Sequence, residues 1–190
     1  MGIVLAVKKK NSICIASDSM TLSGGSRKQT ADHVINSEKI IKWGSSYIGT
    51  TSHPVWPLVL KSYMNLSKQK PSLKSNDEIF DELLKMHQIL KDQYYLIPEE
   101  DDDDSFESSR FESLIVNSHG IFKTYERRSV QQFIHFAAIG SGASYALGAL
   151  HALYERLDTA EEIAKAALNA VVEFDDSSCF PGTFHTVKLK

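Results

Sequence analysis

MGIVLAVKKKNSICIASDSMTLSGG, residues 1–25, decides how the rest of the chain is read. Two apolar runs, residues 3–7 (IVLAV) and 13–16 (ICIA), flank the polar turn 8–12 (KKKNS). Both runs are short and rich in β-branched Val and Ile, whose stiff side chains suit a pleated strand better than a helix. With the turn between them they predict a β-hairpin at the start of the chain. The second run ends at Ser17-Asp18-Ser19, and a Gly24-Gly25 turn follows, so a carboxylate closes a buried strand.

Residues 26–36 are polar and without apolar rhythm, which predicts a loop. Residues 37–43 and 47–51 are β-compatible and separated by a turn at 44–46, so the first fifty residues predict a four-strand antiparallel meander. Pro57 suits the first turn of a helix running to about Lys68. Asn76 is placed to cap a second helix, with Asp77 and Glu78 in its first turn, where the macrodipole favours acid. Its stripe is Ile79, Leu83, Met86, Leu90, Tyr94 and Ile97, and Pro98 stops it. Residues 99–104 are six consecutive carboxylates, read as a solvated loop.

Two β-like runs, 111–116 and 120–125, are joined by a hairpin turn at Asn117-Ser118-His119-Gly120, and 133–139 predicts a third strand. After Gly140-Ser141-Gly142 comes a helix with Ala143, Ala146, Leu147, Leu150, Leu153, Tyr154 and Leu157 on one side. Thr159-Ala160-Glu161-Glu162 is a capping box opening another, striped by Ile163, Ala164, Ala167, Leu168 and Val171. A loop at 174–182 leads to a last strand at 183–189. Strands and helices come in separate groups, which argues against βαβ units. The prediction is one α+β domain spanning 1–190: a four-layer αββα sandwich of two antiparallel sheets packed face to face, with a helix pair outside each.

Composition narrows function by exclusion. The formal charge of -3, from 21 basic and 24 acidic residues, suggests no polyanion partner. No apolar run approaches the roughly 20 residues that span a bilayer. The lysines follow rather than precede the first apolar run, unlike a signal peptide. Cys14 and Cys179 are two thiols without metal spacing, which fits a reducing, cytoplasmic compartment. The seven histidines form no zinc motif, and Gly140-Ser141-Gly142 lacks a P-loop lysine. No metal or cofactor is therefore expected, and neither nucleic acid nor membrane.

What remains is a set of polar residues at strand ends: Asp18, Lys39, Ser141 and Asp176. Each alone has an ordinary explanation, as turn residue, surface lysine, helix cap and loop polar. Their context is more specific. The segments IVLAVKKKNSICIASDS, EKIIKW, IGSGASYALGALHALYE, TAEEIAKAALNAV and FHTV occur in this order along the chain. On them the sequence resembles the proteasome β-subunit family, most closely the peptidase subunit of the bacterial ATP-dependent heat-shock protease. The resemblance implies the fold of N-terminal-nucleophile hydrolases and assembly into stacked rings of this or related β-type subunits, with an ATPase or unfoldase as a further partner.

In that family an N-terminal threonine hydroxyl attacks the peptide and its own α-amine acts as base. A lysine lowers the amine's pKa by like charge, and an aspartate orients the lysine. The resemblance assigns the aspartate to Asp18, the lysine to Lys39, the serine near the amine to Ser141 and a further acid to Asp176. It places the oxyanion donor at Ser52, and substrate contacts at Thr21 and Gly49. The Asp18–Lys39 spacing exceeds the family norm by a few residues, so either an insertion lies within 26–36 or another lysine serves.

The opening departs further. Counting back from Asp18 puts the nucleophile's place on Gly2, or on Met1 if the register shifts by one, and neither carries a hydroxyl or thiol. Three readings follow. One is a non-catalytic, structural or regulatory subunit of a ring. A second is a threonine-type endopeptidase whose true N-terminus is altered or misread, taking a peptide substrate. The third is an amidase of the wider class using Ser17 or Ser19, disfavoured because the mechanism needs an N-terminal amine beside its nucleophile.

Overall fold

The computed structural model describes residues 2–23, 27–67, 71–97 and 105–190. Met1, the Gly24-Gly25 turn, Lys68, Pro98 and the acidic run 99–104 lie outside the described residues. Strands β1 (Ile3–Lys9) and β2 (Ser12–Ser17) form the expected hairpin, with Val4 opposite Ser17. Successive β1 side chains face opposite ways, and here both faces are covered. Ile3, Leu5 and Val7 pack toward a helix layer, while Val4 and Ala6 pack toward the second sheet. Burial on both sides explains why these strands read as continuous apolar runs rather than alternating ones.

The meander is not what forms. The hairpin belongs to one sheet, while β5 (Ile40–Trp43) and β6 (Ser46–Gly49) start another. Between them, β3 (Thr21–Ser23) and β4 (Arg27–Gln29) make a separate two-stranded ribbon, so the expected loop at 26–36 contains a short strand. β4 is exposed throughout, and without a buried face it leaves no apolar pattern to read.

Helix α1 (Trp56–Leu66) begins with Pro57 in its first turn, as expected. Helix α2 (Asn76–Gln93) is capped by Ser75, whose extended backbone lets its Oγ accept from Glu78 N, and Asn76 is the first helical residue. It stops before Pro98: Tyr95 takes a positive φ of 55°, which turns Ile97 out to 77% exposure.

Strands β7 (Ser113–Asn117) and β8 (Gly120–Thr124) are the second predicted hairpin. The Asn117 side chain is buried, accepting from His119 N and donating to the Leu73 carbonyl at 2.6 Å, which pins the turn to the chain before α2. The single strand expected at 133–139 is two strands in different sheets. β9 (Val130–Phe133) pairs with β8, and β10 (Phe136–Gly140) crosses over to pair with β1. Neither Gly nor Pro marks the bend at Ile134-His135, so the sequence gives no punctuation there.

α3 (Ala143–Leu153), α4 (Ala160–Phe174) and β11 (Thr183–Lys188) complete the chain. Leu147, expected on the inner face of α3, is 39% exposed, while Ala146 and Leu150 are fully buried. Thr159 and Glu162 form the reciprocal capping box, and the whole predicted α4 stripe is buried. The sheets run β10-β1-β2-β11 and β5-β6-β7-β8-β9. They face each other across Val4, Ile15, Leu114 and Ile139, with α3 and α4 outside the first and α1 and α2 outside the second. This is the four-layer αββα fold. Among the described residues no helix is long and apolar enough to cross a membrane.

Candidate functional site

Antiparallel pairing decides what meets at the start of β1. The hairpin brings Asp18, just past the end of β2, beside Gly2 and Ile3, and the β1–β10 register, Ile3 opposite Gly140, brings Ser141 to the same point. Asp18 is 1% exposed and fully bonded: Oδ1 accepts from Ile3 N at 2.9 Å, and Oδ2 from Met20 N at 2.8 Å and Cys179 N at 3.3 Å. Its fourth partner comes from the opposite sheet, where Lys39, immediately before β5, places Nζ 2.5 Å from Oδ1. Burial holds the Lys39 ammonium below the ordinary lysine range, and the negative charge of Asp18 opposes that shift.

The Gly2 amide donates to Ser141 Oγ at 3.2 Å. Ser141 in turn donates to Asp175 Oδ2 at 3.0 Å, and Ser178 Oγ lies 2.5 Å from the same oxygen. Asp175, not Asp176, is the acid of this cluster. It caps the C-terminus of α4 and is buried, whereas Asp176 is exposed and bonds Ser177. Two adjacent aspartates in a loop differ only in which one the last helical turn points inward. Ser178 and the Cys179 amide had no signal in the sequence, since their loop has no periodicity.

Residue 2 is where the site is unusual. Gly2 has φ 121°, and a Cβ added there would lie 2.1 Å from Lys39 Nζ and 2.6 Å from Asp18 Oδ1. The lysine ammonium stands where a side chain would be. Gly140 is also required: at φ 105°, a Cβ would come 2.1 Å from the Gly2 carbonyl oxygen. The cluster can hold an amine and move a proton, but residue 2 offers no oxygen or sulfur for attack.

Ser141 opens onto a cleft of about 620 Å³, lined also by Thr51, Ser52, His53, Arg110 and Glu126. The Ser52 amide makes a long bond to Thr50 Oγ1, 3.4 Å. Thr21 shares a narrow pocket of about 40 Å³ with Lys39, Thr51 and Ser52. Gly49 lines neither: it is packed under β1, where a Cβ would meet Val4 Cγ1 at 2.5 Å. Among the described residues no group of three His, Cys, Asp or Glu side chains is arranged to hold a metal ion.

The far wall of the cleft is fixed by a second polar cluster. Glu107 takes both carboxylate oxygens to Lys91 Nζ at 2.8 Å and one to His87 Nε2 at 3.0 Å. His87 Nδ1 meets Ser109 Oγ at 2.8 Å, and Arg128 donates to both Ser109 Oγ and the Glu107 carbonyl. The hydrogen bonds from Lys91 and then His87 lower the Glu107 carboxyl from 4.5 to about 2. A carboxyl depressed in the folded state adds stability above its ordinary pKa and loses it as pH falls toward the folded value. Glu107→Gln is therefore expected to be less stable than the unaltered protein at neutral pH, with the gap closing between about pH 4.5 and pH 2. Denaturant midpoints across that range test it, and a pH-independent gap would contradict the assignment.

No protein-family model and no curated protein matches the chain. Among solved structures it is similar to Thiobacillus denitrificans BPH in complex with epoxomicin, at 39% identity over 99% of both chains with a TM-score of 0.91. A second structure, Thiobacillus denitrificans BPH, gives 40% identity over 99% of this chain and 98% of that one, also at 0.91. Eukaryotic HslV from Trypanosoma brucei matches at 16% identity over 98% and 99% of the two chains, with a TM-score of 0.66, a likeness of fold.

Proposed function

The chain belongs to the proteasome-like family of N-terminal-nucleophile hydrolase folds that includes Thiobacillus denitrificans BPH, and from that membership we propose that it is a β-type subunit without a nucleophile, structural or regulatory within a ring. The observation that carries the reading is Gly2. Its amide meets Ser141 and its neighbour's amide meets Asp18, yet the space for a side chain is taken by Lys39 Nζ. In this reading Asp18, Lys39, Ser141 and Asp175 are the support system of a threonine-type centre, kept for folding and for shaping the cleft. Ser52 holds the oxyanion position with its N–H, and Thr21 borders the substrate side. The partners are copies of this chain or related β-type subunits, with an ATPase or unfoldase at the ring face.

The relative's complex with epoxomicin gives the test. An epoxyketone is captured by a hydroxyl and an adjacent free amine acting together, and a glycine supplies at most the amine. The protein as it is made in its own cell is expected to show no covalent epoxomicin adduct by intact mass and no hydrolysis of fluorogenic peptides. An adduct would overturn this reading. It would favour the second one, a threonine-type endopeptidase with a different native N-terminus, which draws support from the intact geometry around Asp18, Lys39 and Ser141.

A further inference from the structure

Arg110 stands out on the cleft wall. Its backbone is left-handed, φ 50°, an uncommon state for a residue with a side chain, and such outliers persist where the surroundings enforce them. The enforcement is visible on both sides. The Arg110 amide is held by Ser108 Oγ at 3.0 Å, and the Ser109 amide by the Glu126 carbonyl at 2.7 Å, with the Glu107 cluster anchoring the segment to α2. The side chain so positioned is exposed and lines the cleft onto which Ser141 opens. Among the described residues its guanidinium has no ion-pair or hydrogen-bond partner, whereas Glu112 on the same wall is matched by Lys123 at 3.5 Å.

We propose that Arg110 is a carboxylate-binding residue, and that the cleft takes peptides presenting a carboxylate to it. The planar guanidinium fork matches a carboxylate bidentately, which gives orientation as well as attraction. Glu126 on the same wall repels an acid aimed elsewhere, so the preference is for a carboxylate directed at Arg110. The carboxylate comes from an acidic side chain or from a peptide's C-terminus. The proposal rests on the reading that Ser141 and Ser52 border a substrate cleft, and not on whether residue 2 reacts.

Three fluorescein-labelled hexapeptides of otherwise equal sequence distinguish the sources by anisotropy with the full chain. One has a free C-terminus, one an amidated C-terminus and an internal Glu, and one an amidated C-terminus without acid. At least one acidic peptide is expected to bind about tenfold or more tightly than the neutral one, about 1.4 kcal/mol. Arg110→Gln should erase that preference, and Arg110→Lys should keep part of it. Preference for the free terminus alone identifies chain ends, and preference for the Glu peptide alone identifies side chains. Equal binding of all three, no binding of any, or an acid preference surviving within twofold in Arg110→Gln would each overturn the proposal. Mass analysis of the same mixtures reports hydrolysis separately, so a catalytic surprise leaves the binding result readable.

Discussion

Asp18→Ala is expected to destabilise the protein by about 3–5 kcal/mol, because it strips a buried ammonium of its counter-charge. The side chain of Asp18 has no solvent exposure and that of Lys39 is only 9% exposed, so water does not replace the lost contacts. The substitution also orphans the amides of Ile3, Met20 and Cys179, which join the β1 start, the β2 exit and the loop before β11. In a chain of this length the loss corresponds to a fall in Tm of roughly 10 °C. Lys39→Met should cost less than half as much, since the carboxylate keeps its three backbone donors.

The pH dependence carries a definite sign. Burial depresses Lys39, so the unfolded chain binds more protons at this site than the folded one, and stability from it rises with pH toward the ordinary lysine value of 10.5. Without Asp18 the opposing attraction disappears and the slope steepens. The deficit of Asp18→Ala should therefore shrink from neutral to alkaline pH. Chemical denaturation at both conditions measures this, and a deficit below about 1 kcal/mol at neutral pH would show that Asp18 and Lys39 are not the buried pair described.

What the sequence discloses follows how local each feature is. The β1–β2 hairpin was legible because both faces of β1 are buried, leaving an uninterrupted apolar run. The Thr159–Glu162 box was legible because both partners lie within four residues. The αββα layering followed from the order of elements, and the convergence of Asp18, Lys39 and Ser141 came only with the family resemblance. Features set by distant partners were hidden. The split of β9 from β10 depends on which sheet edge each half meets, and nothing at Ile134-His135 announces it. The choice of Asp175 over Asp176 depends on where α4 ends. The His87–Ser109–Arg128 network joins residues 22 and 19 positions apart, each unremarkable alone. Arg110 was invisible for the same reason: its backbone state is imposed by that network rather than by its own chemistry.

Gly2→Thr in a chain whose first residue is residue 2 is expected to create a peptidase where none was measurable. Removing a hydrolase nucleophile costs up to about 10⁶-fold in rate, so restoring one onto a preserved support system should raise fluorogenic-peptide cleavage by roughly 10⁴–10⁶-fold. Two obstacles stand at residue 2, and both yield. The new Cβ falls 2.1 Å from Lys39 Nζ, the far end of a flexible side chain, while Asp18 stays fixed by its three amides. Lys39 therefore retreats and leaves room for the hydroxyl, keeping its contact with Asp18. The other obstacle is the φ of 121°, a strained state for threonine worth about 1–3 kcal/mol, but that torsion exists only while a residue precedes position 2. Freeing the amine removes the strain and supplies the base in one step. The same threonine behind a retained residue 1 should stay inactive, and adding Lys39→Ala to the processed threonine chain should abolish the gain. Epoxomicin adduct formation read by intact mass scores all three proteins. If the correctly processed threonine chain forms no adduct, the polar cluster around Gly2 is a structural joint and not a vacant catalytic frame.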